Sequence, residues 1–273
     1  MTLSAVGPLV LIGAGKMGGA MLAGWLERGL PAANAIVVDP NLAGEMADLV
    51  TRHGARAVAS AAEIGVEPAV VVLAVKPQSM AAVLPQVAPV IGPRTVVISV
   101  AAGTTIATLA AALGSGPIVR VMPNTPAQVS QGMSVGVGNA AVTAADRDLV
   151  TRLMDAVGKT AWVDDEALMD AVTAVSGSGP AYVFLLAECL AKAAEKAGLP
   201  PDLAMLAARQ TVAGAGALLA ASPLEPAVLR QNVTSPGGTT AAALAVLMAE
   251  GGLQPLLDEA VAAAARRSRE LAG

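Results

Sequence analysis

The chain has 273 residues, 55% of them apolar and 14% charged, enough for one large or two ordinary domains and too apolar for a disordered polymer. Its 17 basic and 21 acidic side chains leave a net charge of −4, and no basic cluster adjoins an aromatic-rich face, which excludes a nucleic-acid-binding surface. One cysteine, Cys189, excludes an internal disulfide and a cysteine metal site, and one histidine, His53, excludes a histidine cluster and argues against a Ser–His–Asp mechanism. His53 sits in the polar stretch Thr51-Arg52-His53-Gly54 and reads as a solvated surface residue. Chemistry here must run largely without imidazole, and no metal is expected. With two Trp, one Tyr and one Phe, the core must be built from Ala, Val, Leu and Met.

A mean hydropathy of +0.63 raises the question of a membrane. The uncharged stretches Thr95 to Val119 and Gln231 to Ala249 are broken by Gly, Pro, Ser or Thr, and neither is a continuous apolar run of the ~20 residues that a spanning helix needs. Met1 to Pro8 carries no positive charge ahead of its apolar run and does not read as a signal peptide. A soluble cytoplasmic protein is expected.

In chain order, Pro8 to Ile12 reads as a strand ending at Gly13-Ala14-Gly15-Lys16-Met17-Gly18, followed by helical spacing with Met17, Ala20, Met21, Gly24 and Trp25 on one face. Ile36 to Val38 is a second short strand, and Val70 to Val75 a third, apolar at every position as in a parallel sheet covered on both faces. Thr95 to Val100 and Ile118 to Val121 add two more, with helix-compatible segments at 79–90 and 104–113; Val135 to Val137 and Ala161 to Val163 look like late strands. This alternation predicts a doubly wound α/β sheet. From Glu166 the pattern changes to helical spacing over 166–175, 179–197, 202–221, 224–232, 239–249 and 253–271. The boundary is placed at Val163 and Asp164, dividing the chain into 1–163 and 164–273. Several of these Ala-rich helices show little polar face, which predicts burial against another subunit.

G-x-G-x-x-G alone is weak, but here it follows a strand and opens an amphipathic helix, the context of a dinucleotide site. Gly13 permits the tight turn, Gly15 removes a side chain that would meet a pyrophosphate, and Gly18 lets helix and strand approach. Asp39 stands 21 residues beyond Gly18. An acid there either accepts from the ribose hydroxyls and repels a 2′-phosphate, so that NADH serves at least as well as NADPH, or belongs to a turn in Asp39-Pro40-Asn41. Ala74-Val75-Lys76-Pro77 and the loop with Ala101 and Ala102 follow later strands and should line the cofactor; Lys76 is otherwise a solvated charge. Asn124, held in Met122-Pro123-Asn124-Thr125-Pro126, suits a place near the nicotinamide or an Asx-turn.

The helical half contains Ser176-Gly177-Ser178-Gly179-Pro180 and Asn232-Val233-Thr234-Ser235-Pro236-Gly237-Gly238-Thr239-Thr240. An N-cap followed by proline explains Ser235-Pro236 but not two glycines and two threonines before another helix. Free amides of Gly238, Thr239 and Thr240 would receive a carboxylate, and the Thr240 hydroxyl a neighbouring ring nitrogen. With Ala74-Val75-Lys76-Pro77, Met122-Pro123-Asn124-Thr125-Pro126 and Asp170-Ala171-Val172-Thr173, these motifs closely resemble pyrroline-5-carboxylate reductase over nearly the whole chain.

The resemblance implies a Rossmann domain followed by an all-α dimerisation domain, often with five homodimers joined in a decamer. It implies reduction of L-1-pyrroline-5-carboxylate to L-proline with NADPH or NADH. Carried over by position, Gly13, Ala14, Gly15, Lys16, Met17 and Gly18 bind the cofactor. Ser235, Gly237, Gly238, Thr239 and Thr240 bind the carboxylate and ring nitrogen, with Thr240 as the residue carrying catalysis, and Glu166 and Asn232 correspond to further substrate contacts. A partner subunit completes the pocket. Two departures bear on cofactor preference: the stretch Ser60-Ala61-Ala62-Glu63 lacks a family asparagine, and Asp39 stands where many members have a neutral or small polar residue.

A protonated cyclic imine carries its own positive charge, so orientation matters more than acid catalysis. The rival β-hydroxyacid dehydrogenase plan requires a lysine four residues after the second glycine of a G-x-G turn, and after Gly177-Ser178-Gly179 that place is Val183. A non-catalytic dinucleotide sensor would leave Ser235 to Thr240 without a purpose. Cys189 is expected to be buried and inert, Tyr182, Phe184, Trp25 and Trp162 to pack, and Arg266, Arg267 and Arg269 to favour a helix dipole.

Overall fold

The computed structural model describes residues 2–272. It forms two compact units, Met1–Gly177 with Ala265–Gly273, and Ser178–Ala264. The first unit holds an eight-stranded sheet of β1 (Leu9–Ile12), β2 (Ala35–Val38), β3 (Arg56–Val58), β4 (Val70–Leu73), β5 (Val96–Ser99), β6 (Ile118–Met122), β7 (Gly132–Gly138) and β8 (Gly158–Trp162). Their order is β3-β2-β1-β4-β5-β6-β7-β8. All neighbours run parallel except β6 and β7, so β7 and β8 are reversed. Five helices accompany the strands: α1 (Lys16–Glu27), α2 (Glu45–His53), α3 (Met80–Val87), α4 (Ile106–Leu113) and α5 (Ala144–Met154).

The unbroken apolar runs have a geometric reason. Successive side chains on a strand point to opposite faces. Leu9, Leu11, Val37, Val70, Val72 and Ile98 pack with Met21, Leu22 and Trp25 of α1, while Val10, Ile12, Ile36, Val38, Val71 and Leu73 pack with Leu84 of α3 and Leu109 of α4. Each fully buried Val or Leu contributes about 1.5–3 kcal/mol. Trp25 satisfies its one polar atom by donating from Nε1 to the Leu153 carbonyl at 2.9 Å. Gly24 of α1 lies so close to the segment after α5 that a Cβ there would stand 2.9 Å from the Ala156 carbonyl oxygen.

Some elements differ from their sequence expectation. The strand expected to reach Val75 ends at Leu73, because the Ala74 N–H makes the last ladder bond, to Ile12, before the chain turns towards Pro77. The helix expected over 79–90 is three pieces, a 3₁₀ turn at Pro77–Ser79, α3, and a 3₁₀ turn at Ala88–Val90, since Pro89 lacks the N–H that would continue α3. The periodic reading did not mark β3, α2 or α5. β3 has three residues, two of them exposed, and Val50 is the one fully buried side chain of α2. His53 lies exposed in the last turn of α2, as read from its polar neighbours.

Beyond β8 the first unit continues through a 3₁₀ turn at Glu166–Leu168, α6 (Met169–Val172) and a π-helical turn at Thr173–Gly177. Met169 is fully buried with Val135 and Val137 of β7. Ser268, in the last turns of α11 (Leu253–Ala272), donates to Asp170 Oδ1 at 2.6 Å.

The second unit contains α7 (Gly179–Lys196), α8 (Pro201–Ala221), α9 (Pro226–Asn232), α10 (Thr239–Leu247) and the first turns of α11. Pro180, Pro201 and Pro226 each stand in a first turn, where a missing N–H costs nothing. α7 and α8 pack on each other, yet only Ala191, Ala204 and Ala208 of the two are fully buried in the protomer. Phe184 is 67% exposed and Leu206 65%. Two expectations are corrected: Cys189 is exposed on α7 rather than buried, and Phe184, expected to pack, is mostly exposed in the protomer. The helical run Glu166–Lys196 and α8 are also long and apolar enough to cross a membrane by length and composition, although neither coincides with the stretches that drew attention in the sequence.

Candidate active site

Three loops of the first unit leave the sheet side by side. Ile12 pairs with Val38 on β2 and with Leu73 on β4, so Gly13, Asp39 and Ala74 begin at one level at the carboxyl ends of their strands. The strand order changes direction between β1 and β4, the switch point at which open α/β sheets bind ligands.

The glycine loop is shaped by close contact on one side and openness on the other. Gly13 has φ +90°, and a Cβ there would stand 2.8 Å from Val75 Cγ1. A Cβ on Gly18 would stand 2.3 Å from the Gly13 carbonyl oxygen, so position 18 in the first turn of α1 tolerates no side chain. At Gly15 the equivalent position meets nothing within 4 Å. Gly15 is also the N-cap of α1 and supplies no side-chain cap, leaving first-turn amides available to an anion. A pyrophosphate fits this cradle.

Asp39 does more than either sequence reading assigned to it. Its Oδ1 accepts from the Asn41 N–H at 2.9 Å, which is the turn, and its Oδ2 accepts from the Ala14 N–H at 2.8 Å, which is the glycine loop. The carboxylate lines a cavity of about 560 Å³ whose wall includes Gly13, Ala14, Gly15, Ala74, Val75 and Lys76. Lys16 lines an adjoining groove of about 740 Å³ together with Ala14 and Gly15. Met17 packs towards the core, Gly18 is buried, and Pro77 opens a 3₁₀ turn. Ala101, Ala102 and Asn124 stand outside both walls.

Asn124 makes no Asx-turn. Its Oδ1 accepts from the Met133 N–H at 2.8 Å and its Nδ2 donates to the Ser176 carbonyl at 3.1 Å, tying the end of β6 to the start of β7 and to the π turn. Glu166 also has partners within the first unit. Its Oε1 accepts from Arg120 Nη1 at 3.0 Å and from the Ile106 N–H at 2.9 Å, at the N-terminus of α4. Arg120, buried in the middle of β6, was missed in the sequence; a cation inside Ile118-Val119-Arg120-Val121 announces a buried acid partner without saying which.

In the second unit the chain between α9 and α10 makes a turn that accounts for Pro236 and both glycines. Gly237 has φ +68°, and the Gly238 N–H donates to the Ser235 carbonyl at 3.1 Å, so the four residues form a β-turn with Pro then Gly at its centre. A Cβ on Gly238 would stand 2.5 Å from Ser235 Oγ. One sequence expectation is therefore corrected: the Gly238 amide is occupied by the turn. The open amides are those of Thr239 and Thr240 in the first turn of α10, which has Gly238 as N-cap and no side-chain cap. Thr240 is half-buried, and Asn232 and Ser235 are exposed.

Over 271 residues the chain is 45% identical to the pyrroline-5-carboxylate reductase of Pseudomonas aeruginosa, an alignment covering 97% of this chain and 96% of that one. The chain belongs to the pyrroline-5-carboxylate reductase family. The family profile described as pyrroline-5-carboxylate reductase dimerisation matches residues 166–271, and one described as NADP oxidoreductase, coenzyme F420-dependent, matches residues 8–103. The solved structure of a pyrroline-5-carboxylate reductase from Coxiella burnetii superposes with a TM-score of 0.91 at 35% identity, covering 98% of this chain and 99% of that one. A Plasmodium falciparum pyrroline carboxylate reductase solved with NADP bound gives 0.82 at 29% identity, covering 99% of each. The Rossmann-type sheet and the helical half of this reductase family member are thus those expected from its motifs. Lys192 of α7 gives the β-hydroxyacid plan no support: it donates to Glu188 at 2.6 Å, and that hydrogen bond raises its pKa, the opposite of what a proton-exchanging lysine needs.

Proposed function

We propose that this chain reduces the C=N bond of L-1-pyrroline-5-carboxylate to L-proline with NAD(P)H, the closing step of proline biosynthesis. The observation that carries this reading is the near full-length 45% identity to a reductase of that name. Bound reduced nicotinamide supplies the hydride. The residues of the chain bind and orient. The Thr239 and Thr240 amides receive the substrate carboxylate, and the Thr240 hydroxyl accepts from the protonated ring nitrogen. Ser235, Gly237 and Gly238 hold the turn that presents these groups, and Asn232 and Glu166 are further contacts in this reading. No acid is required, because the imine enters protonated and leaves as an amine, in keeping with the exposed position of the one histidine.

Residues 1–163 form the dinucleotide domain in this proposal and 164–273 the substrate-binding and dimerisation domain. The exposed apolar side chains of α7 and α8 meet a second copy of the chain, as the dimerisation profile over 166–271 supports, and five such dimers form the larger assembly. In this proposal the enzyme works in the cytoplasm. The deciding assay is oxidation of reduced nicotinamide that depends on added pyrroline-5-carboxylate, with proline identified as product. Absence of substrate-dependent oxidation with either cofactor refutes the proposal.

A further inference from the structure

Resting on the dinucleotide reading of the first unit, we infer that Asp39 makes this cavity select the cofactor whose adenosine ribose keeps a free 2′-hydroxyl, so that NADH is bound in preference to NADPH. The acid is held in place. Ala14 N–H donates to Oδ2 and Asn41 N–H to Oδ1, and rotation of the carboxylate away from the cavity would leave both amides without partners. Each oxygen keeps a lone pair that can accept from a ribose hydroxyl. A 2′-phosphate offers no such donor and adds like charge beside the acid.

The neighbours do not offset that charge. The Ser60 hydroxyl, in the same wall, donates to Glu63 Oε1 at 2.7 Å, and the Ser60 N–H donates to the same oxygen at 3.0 Å. A phosphate would therefore compete with a second carboxylate for those donors. Arg56 of β3 is turned to main chain: Nη1 donates to the Ile64 carbonyl at 2.7 Å and Nη2 to the Glu63 carbonyl. Arg52 lines the other groove. Lys76 is the one cation in the cavity wall among the described residues. It follows β4, which β1 separates from β2, so the strands that lead to Lys76 and to Asp39 stand about 9–10 Å apart in the sheet.

The test is calorimetric titration of the full-length protein with ADP-ribose and with 2′-phospho-ADP-ribose, fragments that report adenosine-side binding without turnover. ADP-ribose is expected to bind about tenfold or more tightly than its 2′-phosphate, the size of one like-charge contact in a partly solvated cleft. Asp39→Asn keeps a carbonyl oxygen for Ala14 and removes the charge; it should reduce the ratio to about threefold or less. Asp39→Ser is the second variant and should shift the ratio the same way. Equal or tighter binding of the 2′-phosphate by the native protein, or an unchanged ratio in the variants, overturns the inference. Binding of neither fragment overturns the dinucleotide reading itself. The expected ratio in a protein that shows no imine-dependent oxidation upholds this inference and refutes the proposed reaction alone.

Discussion

Gly237 and Thr240 show how a short turn divides its labour. Gly237 takes φ +68°, which an L side chain reaches at a cost of about 1–2 kcal/mol, so Gly237→Ala should lower the melting temperature by a few degrees. The same change should raise KM for the imine acid, because the turn that presents the Thr239 and Thr240 amides is displaced. Thr240→Val removes one hydroxyl and keeps the shape. It should lower kcat/KM for pyrroline-5-carboxylate by about 10–100-fold, the size of a hydrogen bond to a charged group, with an unchanged far-ultraviolet circular dichroism spectrum. Native kinetics in Thr240→Val would remove this residue from the mechanism. At this scale the motif's sequence led to the expectation of three free amides, whereas the turn leaves only those of Thr239 and Thr240 open. Pro236 and Gly237 signal a turn, and a turn of that kind engages the N–H of its fourth residue, which is Gly238.

Among elements, the pair between β6 and the segment after β8 makes the sharpest prediction. Arg120 is 5% exposed and Glu166 30%. Glu166→Ala leaves a buried guanidinium and the Ile106 amide without their acceptor. It should destabilise by about 2–3 kcal/mol, less than the ~3–5 of a fully buried pair because Glu166 keeps part of its hydration. Replacing both partners with apolar residues, Arg120→Met with Glu166→Leu, should recover much of the loss in denaturant titration. Seven of the eight strands and most helices of this fold were legible because local periodicity encodes them: unbroken Val and Leu runs marked the doubly covered strands, and Gly13 to Gly18 marked the turn into α1. The ion pair was not, since its partners stand 46 residues apart and meet only through the sheet. The contact from Ala14 to Asp39, across 25 residues, was hidden for the same reason. The three-residue β3 carries too few side chains to show a period at all.

At the scale of the whole molecule, the second unit leaves large apolar side chains of α7 and α8 in water when the protomer stands alone. Their proposed cover, a second copy, makes stability depend on mass action. The melting temperature should rise with protein concentration, and a charged residue at Phe184 or Leu206 should shift sedimentation towards monomer. A concentration-independent melting temperature would refute pairing through these helices.

Both tryptophans belong to the first unit. Trp25 is fully enclosed against α5, while Trp162 is half-covered, with the Arg147 guanidinium 4.9 Å from its ring centroid. The helical unit carries Tyr182 and Phe184 and no indole. Indole fluorescence therefore reads the first unit alone, whereas the ellipticity of the amide band sums the helices of both units. Coincident melting curves from the two optical signals would mean that the halves lose structure as one cooperative block, and a part of the ellipticity lost at a temperature where the indole signal is unchanged would belong to the helical unit, without a single added label.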